Sequence, residues 1–248
     1  MSLNVEANAG YHNQPRGIFL GTFVTDKQWD AIKSGTFDDM YVGDYWIING
    51  QILRIAHFDY YINVGDDEGV GYCKKHHAVI VPDNCLFEGP MNSTDITTGA
   101  YMGSDFYTGA NQNSLLSDSI SFFENAFGAD HLLTYRNMLP NAVSSGQASG
   151  SAWADRRVDL LSESLVCGTR VGGQSGHDVR ADKSILALFS YFTGLIQSNK
   201  WYWLRNTVTA KTFCAVSEYG EMLNWDSADG HEHYSSANGG IRPYCVIC

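Results

Sequence analysis

The segment Asp44-Tyr-Trp-Ile-Ile-Asn-Gly-Gln-Ile-Leu-Arg-Ile-Ala-His-Phe-Asp59 contains two runs of β-branched and aromatic residues on either side of Asn49-Gly50. Asn-Gly is the strongest two-residue hairpin signal, because both central residues of such a turn need positive φ. We therefore predict an antiparallel hairpin here. The run His77-Ala-Val-Ile-Val-Pro82 predicts a further, buried strand that ends at proline.

Three more strands are predicted near the C-terminal end of the sequence. They are Trp201-Tyr-Trp-Leu-Arg205, Thr212-Phe-Cys-Ala-Val216 and Ile241-Arg-Pro-Tyr-Cys-Val-Ile247. A further short strand is expected over residues 131–135. Strands therefore occur towards both ends of the sequence, which favours an α+β fold with an antiparallel sheet.

Helices are predicted between these strands. Thr25 and Gln28 have the spacing of a capping box, and Gly35 supplies the residue that ends the helix. Apolar residues at helical spacing predict two further helices, over residues 117–127 and 152–166.

Composition limits the number of domains and the kinds of partner. With 248 residues and no low-complexity linker, we expect a polar lead-in or arm over residues 1–20 and one domain over residues 21–248. The 27 acidic residues outnumber the 16 basic ones, for a net charge of −11, which disfavours nucleic acid and anionic membranes as partners. No apolar run approaches the roughly 18 residues that membrane insertion requires, and no signal peptide is recognised.

The six cysteines do not have the spacing of a zinc ribbon, and most are predicted to be small buried side chains. A Cys245–Cys248 or Cys73–Cys85 disulfide is the less favoured alternative. Nucleotide-binding, hydrolase and zinc-protease motifs are absent, so we predict no cofactor and no enzyme activity. The glycine-rich residues 172–176 are interpreted as a flexible loop.

One histidine pair leaves a metal site open as an alternative. His231 and His233 share a face on a strand, and Asp226 and Asp229 stand near them in sequence, a set that suits Zn²⁺. Asp226, Asp229 and Glu232 would instead suit Ca²⁺. A solvated polar loop is the favoured interpretation, so no metal is predicted.

Several sequence blocks together resemble one protein family. Trp201–Arg205, Phe213–Val216 and Gly240-Ile-Arg-Pro-Tyr-Cys-Val-Ile247 resemble the ending of C-type-lectin-like proteins of phages and prophages in gut bacteria. These include the variable proteins of diversity-generating retroelements, of the major tropism determinant type. The upstream segment over residues 35–59 resembles the same proteins.

The resemblance implies a C-type lectin-like fold with a small twisted antiparallel sheet, two helices and long irregular loops. It implies that the N- and C-terminal strands pair, which would bring Trp46 near the strand over residues 241–247. Arg205 and Arg242 would have structural roles, paired with buried carboxylates or carbonyl groups. Relatives of this fold include formylglycine-generating metalloenzymes, but the cysteine pattern around Cys214 departs from theirs.

The resemblance also implies a ligand-binding region over about residues 201–247, with the contact residues clustered on one exposed face. The implied partner is a protein or glycan on a host surface, and the implied location is a phage virion or a bacterial cell surface, as a homo-oligomer such as a trimer. A structural virion component without a ligand is the alternative. The implied contact residues are Asn206, Thr207, Thr209, Lys211, Ser217, Glu218, Tyr219, Glu221, Asn224, Trp225, Asp226, His231, His233 and Tyr234.

Overall fold

Two larger β-sheets, two two-stranded sheets (β6–β9 and β7–β8) and several short helices form the part of the chain that the computed structural model describes, residues 5–92, 115–140, 143–144, 147–148, 151–173, 181–223 and 238–248. The predicted α+β class is confirmed. The described helices are α1 (Val5–His12), α2 (Asp26–Ser34), α3 (Leu115–Phe127), α4 (Glu163–Cys167) and α5 (Ala187–Tyr191), with 3-10 turns at Ala129–His131 and Thr193–Ile196.

The strands, in chain order, are β1 (Phe19–Gly21), β2 (Tyr45–Ile48), β3 (Gln51–Phe58), β4 (Ala78–Pro82), β5 (Phe87–Gly89), β6 (Tyr135–Pro140), β7 (Val143–Ser144), β8 (Gln147–Ala148), β9 (Ser151–Arg156), β10 (Val158–Leu160), β11 (Tyr202–Thr207), β12 (Phe213–Val216), β13 (Met222–Leu223), β14 (Gly239–Ile241) and β15 (Pro243–Ile247).

The main sheet has the strand order β1-β2-β3-β4-β15-β10. Its β2–β3 hairpin confirms the Asn-Gly prediction, with Asn49 at φ 52° and Gly50 at φ 76°. The predicted strand before proline is β4, and all five of its residues are buried. Only β1 pairs in parallel, with β2; the other neighbours in this sheet are antiparallel.

The second sheet has the order β13-β12-β11-β14-β5. The strands predicted over residues 201–205 and 212–216 correspond to its β11 and β12. The single strand predicted over residues 241–247 is divided at Arg242, where the chain passes from the second sheet into the main sheet. The buried Arg242 guanidinium donates hydrogen bonds to the carbonyl oxygens of Pro82, Leu195 and Ile196. This confirms the structural role implied for Arg242.

Two predicted ends of helices are confirmed in detail. In α2, Thr25 Oγ1 accepts from Gln28 N at 3.3 Å, while Thr25 N donates to Gln28 Oε1 at 2.9 Å. Gly35 ends this helix in the left-handed region, at φ 70°. The helix predicted over residues 117–127 is α3, which begins two residues earlier. Among the described residues, no helix has the length and apolarity needed to cross a bilayer.

The helix predicted over residues 152–166 is wrong for most of its length. Residues 151–160 form β9 and β10, and only Glu163–Cys167 is helical. Pairing decides this outcome, because Val158 lies opposite Cys245 in the main sheet and β9 pairs with β6 along its whole length. The strand expected over residues 131–135 instead begins at Tyr135.

The expected closeness of Trp46 to the last strand is also wrong. Trp46 lies in β2, while β15 pairs with β4 and β10. Because β3 and β4 stand between them, β2 is three strand spacings from β15, or roughly 14 Å. The Asn-Gly turn makes β3 one neighbour of β2, and β1 occupies its other edge, so neither edge of β2 is open to β15.

Hydrogen bonds hold part of the predicted lead-in against the main sheet. The buried Asp44 carboxylate accepts hydrogen bonds from Gly17 N, Ile18 N and the Arg16 guanidinium. The ring of His12 is bonded to the carbonyl oxygen of Met40 at 2.8 Å. Residues 12–20 therefore pack as part of the fold.

All six cysteines are free thiols, so neither alternative disulfide is present. Five of them are buried and Cys167 is partly exposed. Burial raises the pKa of Cys73 to about 11. The prediction that most cysteines are small buried side chains is confirmed.

The close packing around Gly240 generates a first prediction. A Cβ atom at Gly240 would lie 2.5 Å from Cys85 Sγ and 2.6 Å from the carbonyl oxygen of Trp201. We expect Gly240→Ala to lower the free energy of unfolding by about 1–3 kcal/mol, because the backbone at Trp201, just before β11, must move to accept the methyl group. Chemical denaturation measures this difference. Gly194→Ala, where no atom lies within 4 Å of the new methyl group, is the control and should change stability far less. Equal effects of the two substitutions would contradict this account of the close approach.

Candidate ligand-binding face

The meander of β11, β12 and β13 contains the region from which ligand contacts are implied. β11 and β12 are antiparallel, with Tyr202 opposite Val216 and Thr207 opposite Phe213. Every residue of both strands is buried. The exposed residues of β11, β12 and the turns beside them therefore lie within the two turns, residues 208–212 and 217–221.

A buried ion cluster anchors β11 to the rest of the protein. The Arg205 guanidinium is ion-paired with Asp159 and Asp182, and all three side chains are fully buried. The distance from Arg205 Nη1 to Asp159 Oδ2 is 3.5 Å, and Ser162 Oγ donates to Asp182. The structural role implied for Arg205 is confirmed.

Three buried tyrosines extend this cluster. Tyr61 donates to Asp182 Oδ1 at 3.2 Å, and its hydroxyl lies 2.6 Å from that of Tyr244. Tyr135 donates to the Tyr244 hydroxyl at 2.7 Å. The hydroxyl groups therefore tie β6 and β15 to the carboxylates that hold β11. We call Asp159, Asp182, Arg205, Tyr61, Tyr135 and Tyr244 the buried polar cluster.

The cluster contains two carboxylates and one guanidinium. Burial raises the pKa of Asp159 to about 7, an effect that the Arg205 charge partly opposes and the Asp182 charge increases. Asn137 Nδ2 donates to Asp159 Oδ2 at 2.9 Å, and Leu160 N donates to Oδ1 at 2.8 Å. These N–H donors favour the ionised carboxylate and so act against the effect of burial.

Two of the implied contact residues support the scaffold. Asn206 is 1% exposed, and its Oδ1 accepts from Glu163 N at 2.8 Å. Thr207 is fully buried. The expectation that these two side chains lie on an exposed face is wrong, because β11 is covered on both faces.

The glycine-rich segment after α4 packs against the same region. The Glu163 carboxylate accepts from Gly172 N at 2.7 Å and from Gly173 N at 3.0 Å. These two glycines are thus fixed by hydrogen bonds, although a flexible loop was predicted. Residues 174–176 of the predicted loop lie outside the described residues.

Side chains fix both turns of the meander. In the first turn, Thr209 Oγ1 accepts from Lys211 N at 3.1 Å and lies 2.8 Å from Thr212 Oγ1. In the second turn, Ser217 Oγ accepts from Tyr219 N at 3.2 Å and from Glu221 N at 3.0 Å. Ser217 is 7% exposed, so its expected place on an exposed face is also wrong. Its hydroxyl instead shapes the turn.

The exposed contact residues fall into two groups. Thr209 and Lys211 lie in the first turn, whereas Glu218, Tyr219 and Glu221 lie in the second. Because consecutive turns of an antiparallel meander lie at opposite ends of its strands, the structure does not bring these groups together. The remaining six implied residues lie outside the described residues: Asn224, Trp225, Asp226, His231, His233 and Tyr234.

The two partners of Arg205 were not predicted from the sequence. Buried carboxylates or carbonyl groups were expected as partners, and buried carboxylates are present. Neither Asp159 nor Asp182 was identified as one of them. Asp159 falls in the segment predicted to be a helix, and both aspartates are more than 20 positions from Arg205 in the sequence. A buried arginine signals that a carboxylate is needed without indicating its position.

The metal alternative falls on His231 and His233, outside the described residues. Across the ranges that are described, no three side chains of His, Cys, Asp or Glu converge in a way that would hold a metal ion.

Comparison with known proteins found no matching family model, no matching curated protein and no matching solved structure. The resemblance to C-type-lectin-like phage proteins therefore rests on the sequence blocks themselves. What the structure adds is the scaffold around those blocks and the exposure of their turns.

The raised pKa of Asp159 generates a second prediction. Between about pH 4 and pH 7, Asp159 is protonated in the folded protein and ionised in the unfolded protein. This residue therefore lowers stability as pH rises through that window. We expect the stability of Asp159→Asn relative to wild type to increase from pH 4 to pH 7, by an amount on the order of a few kcal/mol. Urea denaturation at a series of pH values measures this difference.

The difference between variant and wild type is the appropriate quantity because another group titrates in the opposite direction. Burial lowers the pKa of His57 to about 4, so His57 lowers stability as the pH falls below 6.5. Ser119→Ala removes a buried polar group that does not titrate, and its difference from wild type should be constant with pH. A constant difference for Asp159→Asn as well would contradict the assignment.

Proposed function

We propose that the chain is a non-enzymatic ligand-binding protein that recognises a protein or glycan on a host surface. The proposed scaffold is of the C-type lectin type, displayed on a phage or prophage virion or on a bacterial cell surface. The ligand contacts are proposed to come from the second turn of the β11–β13 meander, which exposes Tyr219, and from the segment that follows it.

The observation that carries the proposal is the contrast between the strands and turns of this meander. β11 and β12 are completely buried and anchored by ion pairs, while the second turn exposes Tyr219 to 72%. An exposed tyrosine supplies rigid contact area at an interface. A rigid strand pair that carries exposed turns allows recognition to change without loss of the fold.

Sequence composition supports the same region. The segment after β13 contains Asn224-Trp225-Asp226 and His231-Glu-His-Tyr234, where large rings alternate with short polar side chains. This is the chemistry of adaptable binding loops. The two-sheet α+β arrangement with long irregular connections is compatible with the proposed fold family.

A homo-oligomer, with a trimer suggested by the resemblance, forms part of the proposal. Several copies on one particle would raise the apparent affinity by avidity even when each site binds weakly.

A binding experiment tests the proposed function. Labelled protein is incubated with a panel of whole bacterial cells and with a printed array of bacterial glycans. For the target that binds, we expect Tyr219→Ala to weaken binding about tenfold or more, as for an aromatic residue central to an interface. Trp225→Ala with Tyr234→Ala should weaken it at least as much.

Phe23→Ala is the matched control, because Phe23 is also an exposed aromatic residue, at 64%, but lies before α2. Its binding should equal that of wild type. Unchanged binding for both the Tyr219 variant and the Trp225/Tyr234 variant would remove this region as the recognition surface. Absence of any bound target would favour the alternative, a structural virion component.

A further inference from the structure

A group of basic side chains lines three cavities at one end of the main sheet. The cavities have volumes of about 520, 430 and 340 Å³, and Lys74 lines all three. Lys75 lines two of them, His76 lines two, and Lys33 lines the smallest. We call the surface formed by Lys33, Lys74, Lys75 and His76 the basic trough.

The trough concentrates positive charge on an acidic protein. The chain has a net charge of −11 and only seven lysines, of which three lie in the trough. Elsewhere, Lys27 and Lys200 are ion-paired with Asp39 and Glu88. By contrast, no trough lysine has a carboxylate partner within 4 Å in the part of the chain that is described. Unneutralised lysines gathered in this way favour an anionic ligand.

His76 is held in a fixed orientation at the trough. Its Nδ1 lies 2.8 Å from Asp59 Oδ2, and the other Asp59 oxygen accepts from His77 N at 2.9 Å. A Cβ atom at Gly35 would lie 2.6 Å from the His76 ring, so glycine at the end of α2 makes room for the imidazole. With Nδ1 engaged by Asp59, Nε2 is the ring atom available to a ligand.

The backbone beside the trough is strained. Asp59 and Asn63 both have positive φ, at 56° and 60°, and both line the largest of the three cavities. Asn63 Oδ1 accepts from Lys74 Nζ at 2.6 Å, which positions that ammonium group. Left-handed residues other than glycine cluster at functional sites, where surrounding contacts maintain the strain.

We propose that the basic trough binds a ligand carrying two or more closely spaced oxyanion groups, of the phosphate or sulfate class. The cationic groups are distributed over three neighbouring cavities, so a ligand with several anionic groups can engage more of them than a single anion can. Lysine ammonium groups act as point charges for such oxyanions. Asp59 lines the largest cavity and Asp130 lines the other two, so the three lysines outnumber the two carboxylate side chains of the trough.

The trough is separate from the proposed recognition turns. It lies where β4 begins and β15 ends, since Ala78 pairs with Ile247. The second sheet adjoins the opposite ends of the same two strands, and five residues of β15 span roughly 16 Å. The inference therefore does not rest on the proposed function, and the two can fail independently.

Isothermal titration calorimetry tests the proposal with two probes, tripolyphosphate and low-mass dextran sulfate. Tripolyphosphate represents a free polyanion, and dextran sulfate represents oxyanions borne on a glycan. We expect the full chain to bind at least one of them, with binding weakened by added salt. Lys33→Gln with Lys75→Gln should weaken that binding about tenfold or more, because two charge-assisted contacts are lost.

Lys27→Gln with Lys183→Gln is the matched control. It removes the same charge, and Lys27 lies on the same helix as Lys33, six positions away. Loss of binding in the trough variant alone supports the proposal, and the probe that binds identifies the source of the oxyanions. Binding of neither probe, or equal weakening in the two double variants, would overturn it.

Discussion

The ion cluster of Arg205 with Asp159 and Asp182 is the interaction on which the arrangement of the two sheets depends. Arg205 belongs to β11 of the second sheet, while Asp159 belongs to β10 at the edge of the main sheet. The backbone N–H of Arg205 also donates to the carbonyl oxygen of Leu161 at 3.0 Å. This contact fixes the position of β11 relative to the main sheet, and the position of its turns follows.

A buried cluster of this kind favours a unique structure more than it favours stability. Removing two carboxylates and a guanidinium from water costs several kcal/mol per ion, which ion pairing offsets only when the remaining polar atoms are also bonded. Tyr61, Tyr244 and Ser162 supply such bonds here. An alternative packing of β11 would leave these groups buried without partners, so we infer that the cluster favours one arrangement of β11 and its turns.

Local sequence signals were sufficient wherever one short segment determined its own structure. The Asn49-Gly50 turn, the Thr25 capping box and the glycine at position 35 each depend on neighbouring residues, and each was predicted correctly. Residues 152–166 have helical spacing, yet β10 exists because Val158 and Leu160 pair with β15, more than 80 positions away. Such pairing has no signature within a window of a single sequence.

The candidate site shows the same division. The sequence blocks indicated the region. The order of apolar and polar residues did not reveal that β11 is buried on both faces, which places the side chains of Asn206 and Thr207 inside the protein. Serine is a residue type common in binding loops. The hydroxyl of Ser217 instead accepts hydrogen bonds from the backbone and organises the turn. In the described part of the meander, the fully exposed residues lie in the two turns, while β13 is half-buried.

The most direct test of the proposed recognition function is the DNA sequence just downstream of the gene. The account predicts a near-copy of the segment that encodes residues 201–247, beside a reverse transcriptase gene, with differences mainly at adenines. Those differences should fall in codons for the exposed second turn and residues 224–234, and should spare buried Arg205, Asn206, Thr207 and Ser217. Absence of such a copy, or differences concentrated in the buried codons, would contradict a diversified ligand-binding surface on this scaffold.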